Sequence, residues 1–278
     1  MSRAIALRSG GSMPVLGLGT WEMGERATRR AGEIAALRLA VELGMVMIDT
    51  AEMYGEGGAE EVVGEAIAGS RDKVFLVSKV YPHNATRRGV VAACKRSLKR
   101  LGTDYLDLYL LHWRGSVPLA QTVAGFEELR SGGQIRAWGV SNFDSSDVEE
   151  LLTTPGGKHC AANQILYHLA SRGVEWDLLP LCRRHRIAVM AYSPLGRGRL
   201  LRHRQLKDLA QRVGATPAQL ALAWLLARPG VASIPKAADS AHVRECAASQ
   251  ELVLSGPVMA ELEQGYPPPS GPTPLEII

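Results

Sequence analysis

The stretch MVMIDTAEMYGEGGAE, residues 45–60, decides how the chain is read. An apolar run stops on Asp49, Tyr54 follows five residues later, and glycines lead into a helical pattern. In that pattern, EEVVGEAIAG, the residues Val62, Val63, Ala66 and Ile67 fall on one helical face. A buried strand that finishes on a carboxylate and then presents a tyrosine is unusual alone. It is explained by repetition along the rest of the chain.

The opening AIALRSGGSMPVLG reads as a hairpin around a Ser-Gly-Gly turn. Eight apolar runs follow: VLGLGTW, MVMIDT, VFLVSKV, LDLYLLH, IRAWGVSN, CAANQIL, IAVMAYS and VASIPK. Amphipathic stretches lie between them. Ser146 with Glu149 fits a capping box, and Thr216, Pro217 and Gln219 fit a cap, a first-turn proline and its partner. Continuously apolar strands separated by helices imply a parallel sheet covered by helices. Eight repeats point to a closed (β/α)₈ TIM barrel with an N-terminal β-hairpin, not an open doubly wound sheet. No Pro/Ser-rich linker interrupts the chain, so residues 1–278 are expected to form one domain. The ending PSGPTPLEII carries Leu275, Ile277 and Ile278 in a polar, Pro/Gly-rich setting, which reads either as a segment docked over the barrel mouth or as a frayed chain end.

The net charge is +4 over 278 residues, and Arg far outnumbers Lys. No dense basic block with interleaved aromatics occurs, which argues against nucleic-acid binding. The bias still suits an anionic small ligand. Cys94, Cys160, Cys182 and Cys246 are scattered without paired spacing, so reduced thiols are expected and no metal site. Cys182 and His185 lie in the basic run LCRRHR, which reads as a solvated helix end. The first residues contain no apolar core of a leader, and no run is long enough to span a bilayer. A cytoplasmic chain, monomeric and without a membrane partner, is the expectation.

Each apolar run ends on a polar or special residue: Thr20, Asp49, Lys79, His112, Ser141 with Asn142, Gln164, Tyr192 and Lys236. In a barrel these ends converge on one face, where active sites are built. Alone, each has an ordinary role: Asp49 as a turn cap, Tyr54 as a cover, Lys79 as a surface partner, His112 as a core histidine. Together they form a polar site. A half-buried lysine after VFLVS is costly unless a carboxylate neutralises it, and Asp49 can do so. A lysine cation stabilises phenolate, which predicts that Tyr54 titrates below a free phenol and can donate a proton to a developing alkoxide.

At these residues the chain resembles the aldo-keto reductases. The matching pieces, in the family's order, are LGLGTW, IDTAEMYGEG, LVSKV, YLLHW, GVSNF, NQILYH, AYSPLG and IPKA. Within the family it most resembles short bacterial members of the methylglyoxal and diketogluconate reductase type. AEMYGEGGAEEVVGEA, DYLDLYLLHW and YPPPSGPTPLEII carry that likeness. The resemblance implies a barrel fold and a tetrad of Asp49, Tyr54, Lys79 and His112. Tyr54 is then the proton donor, tuned by Lys79 and Asp49, and His112 orients the substrate carbonyl. Ser141, Asn142 and Gln164 match positions that hold the nicotinamide carboxamide, and Tyr192 the ring that stacks on it. Thr20 and Trp21 border the pocket. Ser193, Leu195, Gly196 and Arg197 belong to a loop that lines the pyrophosphate. Trp113 and Tyr81, beside strand ends, are candidate pocket walls.

The implied activity is reduction of small aldehydes, ketones or α-dicarbonyls with NADPH. The family reads the adenosine 2′-phosphate with Lys, then Ser or Thr, then Arg. Here Lys236 is kept, Ala237 replaces the hydroxyl, and His242 stands where the Arg is expected. Arg244 lies on another part of the helix. NADPH is therefore expected to be preferred, though less strongly than with the full set, and His242 helps only when protonated. Two other readings are a Schiff-base lyase using Lys79 and a cofactor-sensing regulatory barrel. The pairing of Lys79 with Asp49 argues against the first. The absence of an interaction extension argues against the second.

Overall fold

In the computed structural model, which describes residues 3–278, β1 (Ala4–Ala6) and β2 (Ser12–Pro14) pair antiparallel as the opening hairpin. Gly10 and Gly11 make the turn at φ 92° and 75°, a region that side chains disfavour. The eight apolar runs become β3 (Gly17–Gly19), β4 (Met47–Asp49), β5 (Phe75–Val80), β6 (Leu106–Leu111), β7 (Ile135–Ser141), β8 (Ala162–Leu166), β9 (Ala188–Tyr192) and β10 (Val231–Ile234). They pair in parallel, in chain order. The barrel closes between its first and last strands: Ser233 donates from its backbone to Val15 at 2.8 Å, and Gly19 to Pro235 at 2.9 Å.

The helices named by the barrel pattern follow. They are α1 (Arg30–Glu42), α2 (Gly58–Ile67), α3 (Arg87–Leu101), α4 (Leu119–Ser131), α5 (Ser145–Thr153), α6 (Leu178–His185), α7 (Arg204–Arg212), α8 (Pro217–Leu226), α9 (Ser240–Ala248) and α10 (Gly256–Gly265). In α2 the predicted face is the buried one. Before α8, Thr216 accepts from the Gln219 backbone at 3.2 Å and Gln219 answers at 2.9 Å, the expected box. The cap of α5 is not Ser146 with Glu149. Asp144 holds the extended backbone that a cap needs and accepts from the Asp147 amide at 2.9 Å. Ser146 is already helical and donates its hydroxyl to Asp144 at 2.7 Å.

Two apolar layers hold the fold together. The outer one fills the space between strands and helices, with Trp138 stacked on Phe126 at 5.3 Å. The inner one fills the barrel and includes Met47, Val77, Leu110 and Met190. Leu7 and Met13 of the hairpin join the inner layer, so the hairpin plugs the barrel floor. Side chains alternate along a strand, so residues two apart share a face. The inward file that contributes Met47, Val77, Leu110, Ala162, Met190 and Ile234 therefore continues, two residues on, to Asp49, Lys79, His112, Gln164, Tyr192 and Lys236. One file of each of these six strands thus supplies apolar filling below and polar groups above.

The close approach of β3 to β4 gives a direct check. A Cβ at Gly17 would sit 2.5 Å from the Met47 carbonyl oxygen, so Gly17→Ala is expected to cost roughly 1–3 kcal/mol through overpacking. Gly32 is an exposed position of α1 where a Cβ meets nothing, so Gly32→Ala is expected to stabilise by about 0.5–1 kcal/mol. Urea midpoints for the two variants should move in opposite directions.

Candidate active site

The mouth of the barrel holds a cavity of about 530 Å³. Thr20, Asp49, Tyr54, His112, Ser141, Asn142, Gln164, Tyr192 and Lys236 all line it. Lys79 lies just beneath, fully buried, and bonds to two of them and to the backbone of Thr50. Its ammonium donates to Asp49 Oδ2 at 2.7 Å, to the Thr50 carbonyl at 2.9 Å and to the Tyr54 hydroxyl at 3.2 Å. The other oxygen of Asp49 accepts from Gln164 Nε2 at 2.8 Å, which ties the ion pair to the far wall. Thr20 donates its hydroxyl to the Asp49 carbonyl at 3.0 Å. Tyr54 begins a tight turn just past β4 and packs against Trp21, at 6.1 Å and nearly parallel, and edge-on against His112 at 5.7 Å.

These contacts set the proton positions. Burial alone lowers the Lys79 ammonium, but Asp49 and then Tyr54 raise it above its usual range, so it stays protonated. Tyr54 overturns the expected direction. Burial raises its phenol more than the Lys79 charge lowers it, and the Asp49 charge raises it further. The phenol is therefore fully protonated at neutral pH and keeps a proton to give. Burial and then Lys79 hold His112 well below the ordinary histidine range, so its ring is neutral. Among the described residues, His112 Nδ1 has no hydrogen-bond partner.

A second group of polar side chains stands opposite. Ser141 donates to the Gln164 carbonyl at 2.9 Å, and Asn142 Nδ2 to the His112 carbonyl at 3.1 Å. The Tyr192 hydroxyl donates to Asn142 Oδ1 at 2.9 Å. Asn142 sits at φ 58°, a conformation asparagine tolerates better than most residues. Trp21, Ser193 and Lys236 continue into a neighbouring cavity of about 420 Å³, where Leu195, Arg197 and His242 form further walls. The Arg197 guanidinium lies 4.7 Å over the Trp21 ring. Two residues of the expected set stand apart from this groove. Gly196 is buried against His168, and Ala237 is buried behind Lys236. Arg244 does not line it either.

Trp113 is a wall of the mouth, whereas Tyr81 stands behind it, edge-on at 5.8 Å. The tail does reach the mouth. Ile277 and Ile278 line the cavity, Leu275 packs on the core, and Glu276 accepts from Ser171 at 2.5 Å. Burial pushes the Tyr192 phenol up to about 12, while the Ile278 backbone works the other way. The charged lining residues Arg114 and Asp147 and the apolar Met53 carried no strand-end signal in the sequence. The four cysteines are free and buried, and burial pushes each thiol up to about 12. Cys182 packs inside while Arg183 and Arg184 of the same run are exposed. Among the described residues, no helix is long and apolar enough to cross a membrane.

A family profile described as the aldo/keto reductase family matches residues 15–266. The chain belongs to that family. It is 53% identical over 272 residues to the methylglyoxal reductase YeaE of Escherichia coli, covering 96% of each chain. The glyoxal reductase of Bacillus subtilis is 35% identical over 264 residues, covering 93% of this chain and 91% of that one. A crystal structure of an aldo/keto reductase from Klebsiella pneumoniae, in complex with NADP and acetate, superposes with a TM-score of 0.97 at 51% identity. That match covers all of both chains. The (β/α)₈ barrel is thus shared with a solved member of the aldo/keto reductase family.

Asp49→Asn isolates the ion pair. It leaves a buried ammonium without its carboxylate, which is expected to cost roughly 3–5 kcal/mol of stability. Burial, the largest influence on Lys79, is then opposed only by Tyr54, so in this variant the folded state is expected to bind fewer protons than the unfolded state as pH rises. Stability should therefore recover with rising pH, read from urea unfolding across the alkaline range.

Proposed function

We propose that this aldo/keto reductase reduces small aldehydes, ketones and α-dicarbonyls of the methylglyoxal type to alcohols with NADPH, using Tyr54 as the general acid. The carrying observation is the Lys79 ammonium bonded to both Asp49 and the Tyr54 hydroxyl beneath a mouth that runs on into a long groove. The methylglyoxal and glyoxal reductase relatives support the substrate class, and the NADP-bound neighbour supports the cofactor.

The groove fits a nicotinamide dinucleotide. Tyr192 offers a half-buried aromatic face, Ser141, Asn142 and Gln164 cluster beside it, and cations stand further along. These residues would hold the nicotinamide end, Ser193, Leu195 and Arg197 the pyrophosphate, and Lys236 the adenosine phosphate. When bound, the cofactor supplies the hydride. The chain does the rest. Neutral His112, its Nδ1 unpartnered, favours the tautomer with the proton on Nε2, which donates to the substrate carbonyl and orients it. Tyr54 gives its proton to the carbonyl oxygen as charge develops there. Lys79 steadies the phenolate left behind, and Asp49 keeps Lys79 charged. Trp21, Trp113, Ile277 and Ile278 wall the mouth and exclude water. A Schiff-base lyase needs a neutral amine, and the raised Lys79 disfavours it.

Tyr54→Phe is expected to lower kcat for methylglyoxal by about 10² to 10⁴ while the NADPH dissociation constant stays the same. Lys79→Met should also lower kcat. A Tyr54→Phe enzyme with wild-type kcat would sink the assignment. Neither Tyr54 nor His112 changes charge between pH 6.5 and 10, the ordinary values from which they depart in opposite directions. In that window the chemical step should show no limb from either group, as measured by single-turnover reduction. Deleting residues 274–278 removes the tail from the mouth. It should raise KM for larger aldehydes more than for methylglyoxal, and equal KM changes across a size series would count against the tail as a wall.

A further inference from the structure

Each basic side chain on the groove faces a partner inside the chain. Arg197 lies over Trp21. His242 Nδ1 stands 2.5 Å from Asp239 Oδ2, the cap of its own helix. Lys236 Nζ stands 3.8 Å from Glu22 Oε2, on the loop that follows β3. Both side chains line the same groove and are partly open to solvent, at 37% and 64% exposure, so each is free to exchange partners. The Glu22 backbone sits at φ 61°, an uncommon conformation for a glutamate. Such positions persist where the surroundings impose them. Here its neighbour Trp21 is pinned between Tyr54 and Arg197.

We propose that Glu22 is a specificity-determining residue that limits the preference for NADPH over NADH by competing for Lys236. The proposal rests on the reading that a nicotinamide dinucleotide lies in this groove with its adenosine end at Lys236. A 2′-phosphate has to take Lys236 from Glu22 and then sit near a carboxylate of like charge. A dinucleotide with a free 2′-hydroxyl meets neither cost. A carboxylate beside an adenosine ribose can also accept from that hydroxyl, the device by which dinucleotide-binding α/β folds favour NAD. The other aids to phosphate binding are weak here. Ala237 is buried off the groove, His242 is engaged by Asp239, and Glu245 adds a second carboxylate to the lining. Glu22 thus acts on the partner choice of one lysine and takes no part in the chemical step.

The test is the pair of dissociation constants for NADPH and NADH, read by quenching of tryptophan fluorescence. The proteins are wild type, Glu22→Gln, Lys236→Met and the double variant. Glu22→Gln is expected to tighten NADPH by roughly 3- to 10-fold, the scale of one solvent-screened charge pair, without tightening NADH. The gain should be smaller when Lys236 is already methionine. An unchanged NADPH-to-NADH ratio in Glu22→Gln would overturn the proposal. Equal tightening of both would place Glu22 at the shared pyrophosphate and also overturn it, as would an undiminished gain without Lys236. Wild type that bound neither dinucleotide would bring down the underlying reading itself, a result separate from any change in ratio.

Discussion

A lysine buried at the centre of a barrel mouth has to be neutralised, and the surrounding structure follows from how that is done. Lys79 is fully buried, and Asp49 is nearly so. Their ion pair is stable only because its remaining valences are filled: Thr50 and Tyr54 take the other ammonium bonds, and Gln164 satisfies the second carboxylate oxygen. These contacts connect β4, β5 and β8 with the turn after β4. The same bonds that make the charge tolerable therefore position the phenol and tie the opposite wall of the pocket to it.

The barrel supports this arrangement from below. Its interior is filled by side chains and floored by Leu7 and Met13 of the hairpin, so the polar layer rests on an apolar base. Low polarity strengthens the Lys79–Asp49 attraction and also raises the Tyr54 phenol. The two consequences are linked. A site buried deeply enough to hold the ion pair firmly is also buried deeply enough to keep the phenol protonated until a substrate takes up charge. The lysine then assists by offsetting part of that burial.

The eight strands were legible because each is an apolar run with clear boundaries, and the polar strand ends were legible because a barrel gathers them on one face. The Thr216 cap was legible because proline and glutamine follow at the right spacing. The α5 cap was not, because Asp144 and Ser146 are both good capping types and only the backbone shows which one lies outside the helix. The direction of the Tyr54 shift was not legible for a similar reason. The charge of Lys79 can be read from residue type, whereas the depth of burial that outweighs it cannot. Arg114 and Asp147 carry no spacing or run that marks them; Arg114 reaches the pocket from the loop after β6 and Asp147 from the first turn of α5.

The sequence by itself determined the strand and helix order, the barrel class, the residues of the strand-end set and the likeness to aldo-keto reductases. These depend on local pattern, on period and on residue type. Only the tertiary structure decided that Gln164 closes the Lys79–Asp49 pair, that Gly196 and Ala237 turn away from the groove, and that Glu22 meets Lys236. Glu22 and Lys236 lie at opposite ends of the barrel sequence. Their meeting follows from closure of the sheet between β3 and β10, where the first strand is bonded to the last.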